Sequence, residues 1–553
     1  MGPAEQAVLG LLDEPVAAEA VPRSKLGDIR LDLQSLPSLR VAASPSREEL
    51  DGAAARVGRT LVASPAIDDV AYVRPRVYIR TALPFLADTV LGAVERDDAA
   101  YGALPPGTRD DVLLTFTDPN ANKPLHIGHL RNLFLGSALS GLHALRGHRT
   151  RREGTFGDWG VHMCQALLLY LADGATVTPE DAGTKPDHFV GELYQRYHQG
   201  GDEELEDDAA RDLLVALEHG DPRAETHERL TQWALDGITS TYRRVGLQMD
   251  ALFREFDYLD AARAAMQEGL AAGRLKQRAD GCIYFDDVDN ETERVLVRPD
   301  GTLLVYAQMM GIDNERWRDR SDRIISIFGH QWESAALSYR EVGRHLGQPW
   351  ASRYEPVFYG MVRLKEGSMW SREGRAVTAD DALDQLAAAL PSHVGEVVGA
   401  TPDDIAVAVL RYFLLRQART KVVVFDWDAL LGQAVPTFLR ALHAAYDPPA
   451  STGVTVDYAG LGQKPAAAVR RVLMAVNGFG SACDDAVERR DPSVVLHFVE
   501  ELLSLSEQVP ASAMDDRLRR AVAAVVRQGL TALEIAPAQW AGRRGELAWT
   551  RSG

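Results

Sequence analysis

Hydrophobic and polar positions along this chain repeat with two periods, one of strands and one of helices. Between Asp111 and Gly136 the sequence reads DVLLTFTDPNANKPLHIGHLRNLFLG. Its first apolar run, Val112-Leu113-Leu114-Thr115-Phe116, is rich in β-formers and predicts a buried strand. Pro119 and Pro124 then break the backbone, and from Leu130 the apolar positions take helical spacing. Leu303-Leu304-Val305-Tyr306 and Ile324-Ile325-Ser326-Ile327-Phe328 predict two more buried parallel strands. Cys164 to Ala172 reads as an apolar helix, and the acidic stretch Gly201 to Asp208 as part of a solvated helical insertion over about 174–250. These elements imply an α/β doubly wound, Rossmann-like parallel sheet within residues 107–375. Residues 1–106 mix helical patterns with a strand-like run from Ala71 to Ile79, a small α+β region ending in the linker Asp97–Pro106. From Thr401 the pattern is helical, so 376–553 is expected to be an all-α bundle.

Composition narrows the class. The chain has 553 residues, enough for about three or four domains with full cores. With 46% hydrophobic residues, no apolar stretch of spanning length and no signal-peptide pattern, it is expected to be soluble and cytoplasmic, without a membrane partner. Cys164, Cys282 and Cys483 lie far apart and form no C-x-x-C pair, which argues against a disulfide framework and a structural zinc site; no metal site is expected. The formal net charge is −19. It leaves nucleic-acid binding open, because a local basic face inside an acidic protein is enough.

The loop after the first strand carries the candidate chemistry. Strand, tight loop and helix N-terminus together present free N–H groups and a positive dipole end to phosphate. Gly128 allows close approach of a purine to the backbone. His126 and His129, three apart on the first turn, share a face and can donate to a pentacoordinate phosphate. Lys123 adds a mobile positive charge. Gly329-His330-Gln331 follows the strand at 324–328, at a carboxyl end where ligands gather in open α/β sheets.

The string Pro-Asn-x-x-Lys-Pro-x-His-x-Gly-His-Leu-Arg, from Pro119 to Arg131, resembles the first signature of class I aminoacyl-tRNA synthetases, in detail that of the arginyl enzymes. Gly157-Asp158-Trp159-Gly160 matches the same four residues of that family. Gly27-Asp28-Ile29 and Ala82 to Leu86 resemble, more loosely, its additional N-terminal domain. Leu410-Arg411-Tyr412-Phe413, Phe425-Asp426-Trp427-Asp428 and Gly529 to Pro537 resemble its helical anticodon-binding domain. The resemblance implies ATP and Mg2+ as cofactors, tRNA and an amino acid as partners, and a monomer. It places ATP on His126, Gly128 and His129, with adenine near Met361 and Val362, and implies catalytic roles for Lys123, His126, His129 and Arg372. It also implies a basic face on the helical domain, with Arg411, Arg416, Arg419 and Lys421 the candidates.

Departures from the family pattern are as informative. The second signature, usually Lys-Met-Ser-Lys-Ser, is replaced by Gly367-Ser368-Met369-Trp370-Ser371-Arg372-Glu373-Gly374. Ser368 stands for one lysine and Glu373 for the other, while Ser371 and Arg372 remain to meet the nucleotide. The two carboxylates that hold guanidinium in the family fall at Thr115 and Met310. Asn120, Asp158, Tyr306 and Gln331 remain for the amino-acid pocket. Asp313 lies within a turn of Met310 and is the candidate replacement acid. An unpaired buried guanidinium costs several kcal/mol, so the pocket is expected to take a neutral side chain.

Three functions follow from the resemblance. The first is an arginyl-synthetase-like enzyme with an altered pocket, which forms or uses an adenylate or aminoacyl-tRNA and acylates a small-molecule amine in specialised metabolism. The second is a genuine arginine–tRNA ligase. The third is a non-catalytic tRNA-binding paralogue, against which the intact Lys123, His126, Gly128 and His129 weigh.

Overall fold

The computed structural model describes residues 1–12, 15–21, 26–39, 45–199, 203–287, 292–317, 321–365, 377–390, 400–446 and 453–536. Near the N-terminus, helix α1 (Pro3–Leu9) is followed by strands β1 (Ala17–Ala20) and β2 (Ile29–Asp32) and helix α2 (Arg47–Val62). Next come β3 (Ile67–Val73), β4 (Arg76–Thr81) and α3 (Leu83–Asp97). The strands form one antiparallel sheet in the order β1-β2-β4-β3. The strand-like run at 71–79 is thus two strands of a hairpin, paired from Val73 with Arg76 outward.

The central sheet begins with β5 (Asp111–Thr115), which leads through the signature loop into α4 (Ile127–Leu145). After β6 (Arg149–Phe156) come α5 (Val161–Ala172) and the insertion helices α6 (Pro186–His198), α7 (Glu203–Glu218) and α8 (Ala224–Arg244), which precede β7 (Ala251–Arg254). Helix α9 (Leu259–Ala271) and the small antiparallel strands β8 (Lys276–Gln277), β9 (Ile283–Asp287) and β10 (Thr292–Val297) lead to α10 (Val305–Arg316). The chain returns to the sheet through β11 (Arg323–Gly329), α11 (Glu333–His345) and β12 (Tyr354–Tyr359).

The five strands run in the order β12-β11-β5-β6-β7, all parallel. This is the doubly wound arrangement expected of the sequence, with its topological switch point between β5 and β11. Central position explains the composition of β5: Val112, Leu113, Leu114 and Thr115 are all buried because both faces are covered. Helix α4 is buried almost all round, with Leu130, Leu133, Phe134, Ala138 and Leu142 in the core. It packs on the sheet through Gly136, where an added Cβ would strike the Phe116 ring, and on the C-terminal helix through Gly141.

One expected strand is a helix. Leu303 makes only an isolated bridge with Val297, and Leu304 is the N-cap of α10. A four-residue apolar run has no period of its own. The longer register decides, burying Ala307, Met310 and Gly311 at helical spacing and leaving Val305 49% exposed.

Strand β13 (Val362–Leu364) follows the sheet, and α12 (Ala379–Ala389) follows residues 366–376. The remaining segment is helical over Pro402–Arg416, Val435–Tyr446, Gln463–Asn477, Phe479–Arg489, Ser493–Glu507 and Asp516–Ala532. One strand, β14 (Val423–Phe425), leaves it to pair in parallel with β13. Among the described residues no helix is long and apolar enough to cross a membrane.

Candidate active site

The loop from Phe116 to His126 lies at the switch point. Thr115 pairs in register with Ser326 of β11, and its Oγ donates to Ser326 Oγ at 2.8 Å. Thr117 next to it has φ 69°, a left-handed conformation that a β-branched residue rarely takes. Its N–H donates to Asn132 Oδ1 at 2.7 Å, and its hydroxyl meets that of Tyr242 on α8. Backbone held in such a conformation by its surroundings is typical of functional loops. The loop is further stitched to the Gly157-Asp158-Trp159-Gly160 turn by Ala121 N–H to Gly157 O at 2.9 Å and Gly157 N–H to Pro119 O at 3.0 Å.

His126 is the N-cap of α4. Its Nδ1 accepts the Gly128 N–H at 3.1 Å, while His129 Nδ1 accepts the His126 N–H at 3.1 Å. The rings stack with centroids 3.8 Å apart. Burial, then the nearby Lys123, lowers the affinity of His126 for a proton; His129 is pushed well below the ordinary histidine range by burial, then by His126 and Lys123. Both rings are therefore neutral at physiological pH. With each Nδ1 accepting, the hydrogen-bond pattern assigns each proton to Nε2, which gives two parallel donors on one turn. Gly128 has a reason beyond ligand approach, since a Cβ there would sit 2.9 Å from the His126 ring. Lys123 is exposed beside them.

Met361 and Val362 lie where β13 starts. Met361 is 44% exposed, and Val422 and Val424, from the segment that pairs with β13, are 44% and 53% exposed. Val423 N–H donates to Met361 O at 2.9 Å. An exposed apolar strip thus runs along these two strands, suited to the flat face of a base. Ser371 and Arg372, with the rest of the degenerate second signature, lie outside the described residues.

Most of the residues expected for the amino-acid pocket are buried or half-buried. Thr115 is 4% exposed and Met310 0%, so neither lines an open cavity. Asp158 is also fully buried, its carboxylate held by Arg254 Nε at 2.7 Å and the Phe256 N–H at 3.0 Å. Asp313, the candidate replacement acid, is engaged within the core. It is 1% exposed, accepts the Tyr339 hydroxyl at 2.6 Å and faces Arg316 Nε at 2.8 Å. Burial pushes its carboxyl up to about 6 against the pull of Arg316. Asn120 and Gln331 are exposed and Tyr306 is half-buried, its ring 6.1 Å from that of Tyr339. A cavity of about 580 Å³ opens beside Gln331, lined also by Arg294, His330, Leu337 and Glu341. A second, of about 700 Å³, belongs to other elements, between Ala18, Glu19, Phe498 and Leu502.

The expected basic face is absent at the residues named for it. Arg411 is buried and donates to Val245 O at 2.8 Å, while Arg416 pairs with Glu500 at 2.7 Å. Arg419 donates to Phe358 O, and only Lys421 is exposed. Arg411 and Arg419 bind this segment to its neighbours and Arg416 joins two of its helices; helical spacing does not reveal which side of a helix faces another helix.

Sequence reasoning missed Tyr242, Gly191 and Asp380, which touch the signature loop or the segment paired with it. A lone glycine inside the helix at 191 was the one available signal; nothing local marks the other two.

Comparison with known proteins adds the last observations. Residues 100–427 match the family described as tRNA synthetases class I (R), catalytic domain. The chain is similar to the arginine–tRNA ligase of Treponema pallidum, at 32% identity over 418 residues covering 71% of this chain and 70% of that one. Similarity to the Treponema denticola ligase is 30% over 431 residues, covering 75% and 72%. The fold is similar to that of Thermus thermophilus arginyl-tRNA synthetase, with a TM-score of 0.73 at 19% identity and 99% coverage of both chains.

Proposed function

Because the chain belongs to the arginyl branch of the class I tRNA synthetases, a family of ATP-using ligases, we propose that it is an arginine–tRNA ligase. The reaction joins the amino-acid carboxylate to the α-phosphate of ATP with release of pyrophosphate, then passes the acyl group to a ribose hydroxyl of tRNA as the acyl–phosphate bond breaks and AMP leaves. One observation carries the reading: two stacked, neutral imidazoles present Nε2–H donors at the start of α4, beside the switch point. Donors fixed before the reaction stabilise charge that develops on a phosphate without reorganising. Lys123 supplies a mobile cation and the Met361–Val424 strip supports the base; Mg2+, if carried by the nucleotide, would neutralise phosphate charge beside them.

A second reading retains the chemistry and changes the amino acid. Thr115 is turned to Ser326, Met310 is fully buried, and Asp313 is engaged by Tyr339 and Arg316. A substrate guanidinium would find no fork-shaped carboxylate acceptors at these positions. This supports a neutral amino acid as the substrate.

Pyrophosphate exchange across the twenty amino acids, with and without total tRNA, separates the two. Exchange with arginine alone, followed by charging of tRNA, supports the ligase. Exchange with a neutral amino acid and none with arginine replaces it by the second reading. No exchange with any amino acid, tRNA present, overturns both.

A further inference from the structure

Helices α6 and α8 lie between β6 and β7 in the chain, far from the signature in sequence, yet they grip it at three places. At the first, Tyr242 of α8 meets the hydroxyl of Thr117, the residue held in the left-handed conformation. At the second, Gly191 of α6 abuts the loop. A Cβ at 191 would lie 2.6 Å from Pro124 Cδ and 3.5 Å from Lys123 Cα. The third is indirect. Leu125 to Ile127 pair with the segment leading into α12, through Ala379 N–H to Leu125 O at 2.8 Å and an isolated bridge between His126 and Thr378. Asp380, immediately after that segment, accepts Lys185 Nζ at 2.7 Å, Thr241 Oγ at 3.2 Å and Arg244 Nη1 at 3.2 Å. His188 Nε2 lies 3.5 Å away.

Asp187, His188 and Asp380 also approach one another as metal ligands would. Lys185 Nζ, 3.3 Å from Asp187 and 2.7 Å from Asp380, already supplies the cation between the two carboxylates. The cluster is therefore a bolt between α6, α8 and α12.

We propose that the helical insertion is the scaffold that sets the signature loop, with Asp380 and Tyr242 as positioning residues for His126 and Lys123. The loop contains two prolines and a strained threonine, and its own hydrogen bonds are few, so its geometry is imposed from outside. Charge-assisted bonds on Asp380 fix the segment that lies against His126, and the glycine at 191 lets α6 press on Lys123. The proposal rests on the reading of His126 and Lys123 as phosphate-binding groups.

The test uses Asp380→Asn and Tyr242→Phe in the full chain, with two readouts. Pyrophosphate exchange is expected to lose about tenfold or more in kcat while KM for ATP stays within about twofold, because the positioned groups act mainly in the transition state. Hydrogen–deuterium exchange is expected to quicken by about tenfold at the amides within residues 123–130, since each variant weakens one of the contacts that hold them. Unchanged exchange at those amides, or faster exchange spread evenly over the molecule, overturns the proposal. So does a kcat per folded molecule equal to that of the parent with a lower melting temperature. The amide readout needs no turnover, so a parent enzyme inactive with every amino acid defeats the ligase reading while the scaffold is still decided.

Discussion

Asp313 accepts the hydroxyl of Tyr339 at 2.6 Å inside the protein. The same carboxylate faces Arg316, which is itself 5% exposed and lies over the Phe253 and Trp317 rings. An acid that stands one turn from the expected aspartate position is thereby part of the core. Asp313→Asn is expected to lower stability by about 3–5 kcal/mol, because it leaves a buried guanidinium without its charge partner. Chemical denaturation at neutral pH checks this, and a loss under 1 kcal/mol would mean that Arg316 finds another acceptor.

The pocket itself gives the second expectation. Thr115→Glu with Met310→Asp places two carboxylates at buried positions, so the double variant should melt well below the parent. Arginine should then raise the melting temperature of that variant, and leucine should not. Thermal-shift measurements with each amino acid decide it; equal effects of arginine and leucine would show that these positions do not see the substrate.

Neutral histidines give the third. Replacing His126 or His129 by Ala is expected to reduce kcat for pyrophosphate exchange by about 10²–10³, the usual cost of one transition-state donor. Both rings are depressed in proton affinity, so their donor pattern should persist as pH falls below the ordinary histidine value. Stability should decline over that same range, because the unfolded chain gains protons that the folded one refuses. Imidazole resonances followed by NMR would reveal the opposite behaviour if the rings titrate normally.

His188 should behave in the other sense. Its proton affinity is raised, first by the hydrogen bond to Asp380 and also by the Asp187 charge, against burial and Lys185. Asp380, Asp187 and Lys185 are the charged groups that act on it. A raised histidine stabilises fully below the ordinary value and loses that contribution as pH rises through its own. His188→Gln is expected to flatten this part of the stability profile, as read from urea midpoints between about pH 5 and 8.

For tRNA, the paired state of Arg416 sets the expectation. Its guanidinium is taken by Glu500, so Arg416→Ala should leave the slope of log affinity against log salt unchanged. A change of about one counterion would place the residue on phosphate after all.

Much of this protein is written locally. The strand at 112–115, the loop prolines and the helix from 127 follow from apolar period and backbone chemistry, and the histidine spacing already puts both rings on one turn. The parallel, doubly wound class of the sheet follows from alternating elements, whereas the order of its strands came from the structure. What the sequence alone did not determine depends on long-range partners. Leu303 to Tyr306 is apolar enough for a strand, and the register that buries Ala307, Met310 and Gly311 makes it the start of a helix. Asp313 looks like a spare acid until Tyr339 and Arg316 close on it. Arg411 and Arg416 look like a surface for phosphate until Glu534 and Glu500 are found beside them. A charged side chain carries no local record of whether its partner is water, substrate or another helix. Its role is decided by which groups, hundreds of residues away, share its desolvation.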